Sequence, residues 1–176
     1  MVDDLQPPVE PMRVASIGQW PAGDGWRYEL KADGYRGLAF LQPERVSLQS
    51  RAGRNLARYF PDLVQAITAS VPPRSVVDGE ITVLADDRID FAALQRRITV
   101  GVDPASAAYL IAFDLLQHPD HGVILNEPLS VRRDLLAGLL ADASPAIALC
   151  PQSADVAVAD EWMSAEWVAA GFEGVL

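Results

Sequence analysis

The sequence predicts an α+β fold in which antiparallel strands are flanked by helices, and three observations predict it. Short alternating runs fill the stretch from Trp26 to Gln49 and are joined by tight turns, which favours antiparallel pairing. Later strands are separated by segments with apolar residues at helical spacing. Half of the 176 residues are hydrophobic, enough for a sizeable core in one domain spanning 1–176.

The bulk properties narrow the class. A net charge of −10 argues against a stand-alone grip on nucleic acid, which needs clustered cations. No apolar run approaches a membrane span, and Met1-Val2-Asp3-Asp4 is acidic where a signal peptide would be basic. The single cysteine, Cys150, permits no internal disulfide and fits a reducing, cytoplasmic compartment. Residues 146–150 read as a buried strand, with the thiol as core filler.

Taken in order, residues 1–12 carry three prolines and read as an extended lead-in strapped over the surface. Residues 14–25 are loop-like and end in the turn signal Pro21-Ala22-Gly23-Asp24-Gly25. Trp26, Tyr28 and Leu30 then alternate with Arg27, Glu29 and Lys31, the period of a half-buried strand. Asp33-Gly34 predicts a tight hairpin turn into a second strand over 37–41, and Gln42-Pro43-Glu44 leads to a third over 45–49. Asn55 is a plausible N-cap for a helix reaching about Ala69, with Pro61 either kinking it or marking its start.

Residues 75–84 form an apolar strand interrupted by Asp78 and Glu80 around Gly79. Acids inside a β-branched run are costly unless they meet cations, metal or donors, so Glu80 is a site candidate on physics alone. Asp86-Asp87 turns the chain into a short helix over 91–97. Residues 109–116 are a near-continuous apolar strand with one acid, Asp114. Ser130 is expected to cap the next helix, and one amphipathic helix is expected over 156–170. Arginines bunch at Arg51, Arg54 and Arg58, and again as the pairs Arg96-Arg97 and Arg132-Arg133, which read as solvated helix faces.

Lys31 is the only lysine, against thirteen arginines. It lies at a strand end beside a turn, with Asp33 two residues on and Arg36 five residues on. A deprotonated amine there can attack an electrophile, helped by partial burial or a neighbouring cation. Arginine could not serve, because it stays protonated.

The spacing Lys-x-Asp-Gly-x-Arg from Lys31 to Arg36 resembles the nucleophile motif of the covalent nucleotidyltransferases: ATP-dependent DNA ligases, RNA ligases and mRNA capping enzymes. Ser50-Arg51-Ala52-Gly53, Asp78-Gly79-Glu80, Phe113-Asp114 and Glu173-Gly174 follow in that family's order, and the resemblance covers about residues 8 to 176. Pro128-Leu129 followed by Arg132-Arg133 and a leucine pair also recurs in such ligases. The Trp26-x-x-Glu29-x-Lys31 lead-in looks closest to the bacterial ATP-dependent ligases of repair and end joining.

The resemblance implies two antiparallel sheets flanked by helices, ATP-grasp-like, with the nucleotide cleft between the sheets. It implies that Lys31 attacks the α-phosphate of ATP to form a lysyl–AMP. Glu29 and Phe113 would then read the adenine, Arg36 and Arg51 would position phosphate or ribose, and Glu80 would reach the ribose or the metal shell. Mg²⁺ would lie near Glu173, with Glu80 or Asp33. In a full enzyme the AMP passes to nicked double-stranded DNA. After the Glu173 motif the family has a further strand bearing lysines and then an OB-fold domain, neither of which is in these 176 residues. The chain is therefore read as a C-terminally incomplete adenylation domain, with weak nucleotide binding and self-association through an open sheet edge. The alternatives are a non-catalytic adenine-nucleotide-binding module and an RNA-ligase or capping-type enzyme.

Overall fold

In the computed structural model, residues 4–13, 15, 18–21, 23–103 and 105–176 are described. Parts of the expected lead-in and loop, residues 1–3, 14, 16–17 and 22, lie outside them. Among the described residues the strands are β1 (Tyr28–Ala32), β2 (Tyr35–Gln42), β3 (Arg45–Ser50), β4 (Ser75–Ala85), β5 (Arg88–Ile89), β6 (Ala107–His118), β7 (Gly122–Val123), β8 (Ile147–Leu149), β9 (Gln152–Ser153) and β10 (Phe172–Val175). The helices are α1 (Pro61–Ser70), α2 (Phe91–Thr99), α3 (Leu129–Leu139), α4 (Val156–Trp162) and α5 (Ala165–Ala169), with a 3-10 turn at Ala57–Tyr59.

Two sheets form, as expected. The larger runs β3-β2-β4-β6-β7, with β5 on β4 and β8 on β6, and the smaller runs β10-β1-β9. Every pairing is antiparallel except the short β6–β8 contact. Alternation along the large sheet sends Ala39, Leu41 and Val77 into the main core beneath α1, α2 and α3, where Leu63, Ile67, Leu94 and Leu136 are fully buried. The opposite face carries Leu38, Phe40, Val76 and Leu116, covered by Leu5 and Val9 of the lead-in. Gln49 exchanges two hydrogen bonds with the Val9 backbone, at 2.9 and 2.6 Å, and Gln117 accepts from Leu5 N at 2.7 Å, so the strap is pinned by amides. The small sheet packs Tyr28 and Leu30 against Ala159 and Trp162 of α4.

The expected hairpin across Asp33-Gly34 does not form: β1 and β2 belong to different sheets. A two-residue hairpin of the favoured type needs left-handed φ at both turn residues. Asp86 and Asp87 have it, at 52° and 59°, and they join β4 to β5. Asp33 and Gly34 do not. Gly34 is needed instead for space, because a Cβ there would stand 2.4 Å from the Ile81 carbonyl oxygen and 2.9 Å from Glu80 Cγ. The backbone crosses hard against β4 and passes from one sheet to the other.

Four smaller expectations change. The helix after Asn55 starts at Pro61, the first helical position, while the Asn55 side chain accepts from Ala57 N at 2.9 Å, just before the 3-10 turn. Ser130 is inside α3 and Pro128 occupies the cap. The helix over 156–170 is two helices, because Ser164 adopts an extended conformation (ψ 160°) and restarts the chain at α5. The segment before Cys150 is only part buried, since Ala148 and Leu149 are exposed.

Candidate functional site

The site lies where the polar end of the large sheet's second face meets β1 and β10. Its walls are set by strand register. Arg36 on β2 pairs across from Glu80 on β4, and Asp78 on β4 pairs across from Asp114 on β6. Two carboxylates placed opposite each other repel. Each is given its own forked guanidinium. Arg36 Nε and Nη2 donate to Asp78 at 2.6 Å each, and Arg132 Nε and Nη2 donate to Asp114 at 2.8 Å each. Burial raises the Asp78 carboxyl above its ordinary value, and the Arg36 fork acts against that rise.

A register shift between Asp78 and Gly79 leaves Phe113 as the extra residue on β6. Such a bulge re-aims a side chain, and the Phe113 ring comes to lie beneath the Arg36 guanidinium, 4.6 Å from its centroid. Phe113 is half-buried and is not part of any apolar core cluster. The fork of Arg36 is therefore committed to Asp78, and only its remaining N–H groups can face a ligand.

Lys31 leaves β1 opposite Gly174 of β10, and its Nζ forms an ion pair with Glu173. Both side chains are over two-fifths exposed, so the pair contributes little stability and is easily exchanged. Glu80 lies within the electrostatic reach of Lys31, Arg36, Asp78 and Asp33, and burial pushes its carboxyl up to about 7. Glu29, two residues before Lys31, is held from the other side. Gln152 Nε2 donates to its Oε1 at 2.9 Å, and Arg133 Nη1 stands 3.5 Å from the same oxygen. Burial raises its carboxyl, with Arg133 and Gln152 opposing.

Lys31, Glu173, Glu80, Asp33, Arg36, Phe113 and Glu29 are thus brought to one region. Arg51 is exposed and lines, together with Arg36, Arg54, Arg58, Tyr35 and Tyr59, an adjoining cleft of about 450 Å³. Among the described residues no set of three or more His, Cys, Asp or Glu side chains is arranged to hold a metal ion. The donor set still fits Mg²⁺, which is usually held by one or two carboxylates together with substrate phosphates, and Glu173 and Glu80 both adjoin Lys31.

Three arginines read as solvated prove to be internal. Arg132 and Arg133 are mostly buried, and Arg97 on α2 is 2 % exposed. Arg97 donates to the Tyr59 and Ser106 carbonyls at 2.9 and 2.6 Å and pairs with Asp62. The signal available in sequence was Asp114, an acid inside an apolar strand that requires a cation.

The chain is 41% identical to DNA ligase C2 of Mycolicibacterium smegmatis over 177 residues, covering 97% of the chain and 49% of that protein. It is 40% identical to DNA ligase C of Mycobacterium tuberculosis over 182 residues, covering 98% of the chain and 50% of that protein. The chain thus spans about half the length of these curated relatives. A solved structure of a mycobacterial DNA ligase D complexed with ATP and MES superposes with a TM-score of 0.62 at 28% identity, over 85% of this chain and 46% of the other. The family model described as "ATP dependent DNA ligase domain" matches residues 13–176, and the chain belongs to that family.

Proposed function

We propose that the chain is the adenylation domain of a cytoplasmic ATP-dependent DNA ligase. The observation that carries this reading is the placement of its one lysine, at the meeting of the two sheets, in contact with Glu173 and beside Glu80. The Lys31 Nζ lone pair attacks the α-phosphorus of ATP and loses a proton. A P–N bond forms, the bond to the bridging α–β oxygen breaks, and pyrophosphate leaves. Glu173 orients the amine and must release it before attack.

Glu29 Oε1 is taken by Gln152 and Arg133, and among the described residues Oε2 accepts no hydrogen bond. It faces the adenine 6-amino group, while Phe113 stacks on the base. Glu173 and Glu80, with Asp33 near Glu80, would hold Mg²⁺ together with the phosphates, and the ion would neutralise charge building on them. The AMP then passes to the 5′-phosphate of nicked double-stranded DNA and is displaced by the 3′-hydroxyl. Arg51, Arg54 and Arg58 suit contacts to DNA phosphates. The family match favours this over the RNA-ligase and capping alternatives.

Intact mass after incubation with ATP and Mg²⁺ tests the proposal. The expected result is a gain of one AMP on Lys31, low in yield for the 176 residues and raised when the remaining half of a relative is supplied in trans. Lys31→Arg should lose the gain while keeping the fold. Label persisting in that variant would remove Lys31 from its role, and ATP binding without label would leave a nucleotide-binding module.

A further inference from the structure

Arg133 is the side chain on which the two base-reading groups meet. It projects from α3, is 7 % exposed, and reaches three separate parts of the chain. Nη1 stands 3.5 Å from Glu29 Oε1 on β1, and the same nitrogen donates to the Phe113 carbonyl at 3.3 Å and to the Ala112 carbonyl at 3.5 Å on β6. Nη2 donates to the Cys150 carbonyl. Cys150 in turn links both sheets, since its N donates to Ala112 O at 2.7 Å and its Sγ lies 3.4 Å from Leu30 O. One planar guanidinium therefore sets the distance between the β1 carboxylate and the β6 bulge that carries the Phe113 ring. A planar fork holds several acceptors in fixed directions in a way an ammonium does not.

We infer that Arg133 is a positioning residue for adenine selection. It holds Glu29 by Oε1 so that Oε2 points into the site as a bare acceptor, and it fixes the Phe113 backbone at the spacing a purine requires. This rests on the proposed adenine-reading role of Glu29 and Phe113. Arg133 does not itself contact the nucleotide. Its effect falls on which base is accepted more than on how tightly triphosphate is held. A site built around an acceptor for a substrate N–H discriminates strongly against an analogue that lacks the group, and the discrimination is lost when the acceptor is free to swing.

The test is the ratio of dissociation constants for ATP and for purine riboside triphosphate, which lacks the 6-amino group, measured by titration calorimetry with the 176-residue chain. Folding of each variant is checked by circular dichroism. The wild-type chain should prefer ATP. Arg133→Met should cut that preference about tenfold, the cost of losing a charge-assisted contact, chiefly by weakening ATP. Arg133→Lys keeps the charge but not the fork and should restore part of it, leaving a deficit of about threefold. If Arg133→Met does not fold, Arg133→Lys carries the test alone. A folded variant of either kind with an unchanged ratio overturns the inference and leaves the proposed function standing. Failure of the wild-type chain to bind any adenine nucleotide overturns the functional reading and this inference with it.

Discussion

Two sets of arginines in this acidic chain behave as different residues. Arg36, Arg97, Arg132 and Arg133 are largely buried, and each is matched to a carboxylate or a set of carbonyls. Arg51, Arg54 and Arg58 are exposed, and among the described residues none has a carboxylate partner. Arg58 instead lies over the Tyr59 ring at 4.4 Å. Inside, a guanidinium is committed to geometry, because a buried charge stays only where its donors are met. Outside, the same group remains available to an incoming anion. A net charge of −10 therefore says little about whether one face can grip phosphate.

Three experiments would break or sharpen this division. The largest effect is expected from Arg97→Met. It takes the cation from a half-exposed Asp62 and leaves two inward-facing carbonyls without their donor, and unsatisfied buried acceptors cost about 2–4 kcal/mol together. Urea unfolding should show it, and a loss below about 1 kcal/mol would mean that the inner arginines are not structural.

Glu80 is intermediate: it is partly buried, yet no guanidinium fork is committed to it. Its carboxyl is raised from an ordinary 4.5 to about 7, so the folded state favours the protonated form. The stabilisation is complete below about pH 4.5 and is lost as pH rises through about 7. Glu80→Gln mimics the protonated group and should match wild type near pH 4 but exceed it increasingly as pH rises to 8. After allowance for solvent screening the gain should be about 1–2 kcal/mol. Parallel stability curves for the two proteins would show that Glu80 is ionised throughout.

The smallest effect on stability belongs to the double variant Arg54→Ala, Arg58→Ala, within about 0.5 kcal/mol of wild type. Its effect should appear in binding to nicked DNA, with weaker affinity and a logarithmic salt slope reduced by roughly 2. An unchanged slope would remove these residues from any role in DNA contact.

How much of this was legible depended on distance along the chain. The Lys31 strand, the acids of β4 and Phe113-Asp114 are local patterns, and each fell where its residues indicated. The Asp33-Gly34 hairpin failed because β1 prefers partners far away, β10 and β9, which bury Tyr28 and Leu30 against α4. Arg132 and Arg133 were taken as a solvated face because their acceptors, Asp114 and Glu29, lie 18 and 104 positions earlier in the sequence. Helical periodicity carries no record of such partners. The internal Arg97 escaped notice for the same reason, since Asp62 belongs to another helix.

The pairing of β1 with β10 has a consequence for the order of assembly. Strands β2, β3, β4 and β6 are complete once His118 has been made, and they are joined to one another by antiparallel ladders. The lysine strand is synthesised before all of them, yet its neighbour in the small sheet, Phe172–Val175, emerges about 140 residues later. At typical synthesis rates that is roughly 7–30 s. Until then Lys31 has no Glu173 beside it, while the face carrying Glu80 and Phe113 can already be folded. Amides of β2, β4 and β6 should accordingly gain protection before those of β1 in pulse-labelled refolding, so that the Lys31 strand is the first part of the centre to be translated and the last to be put in place.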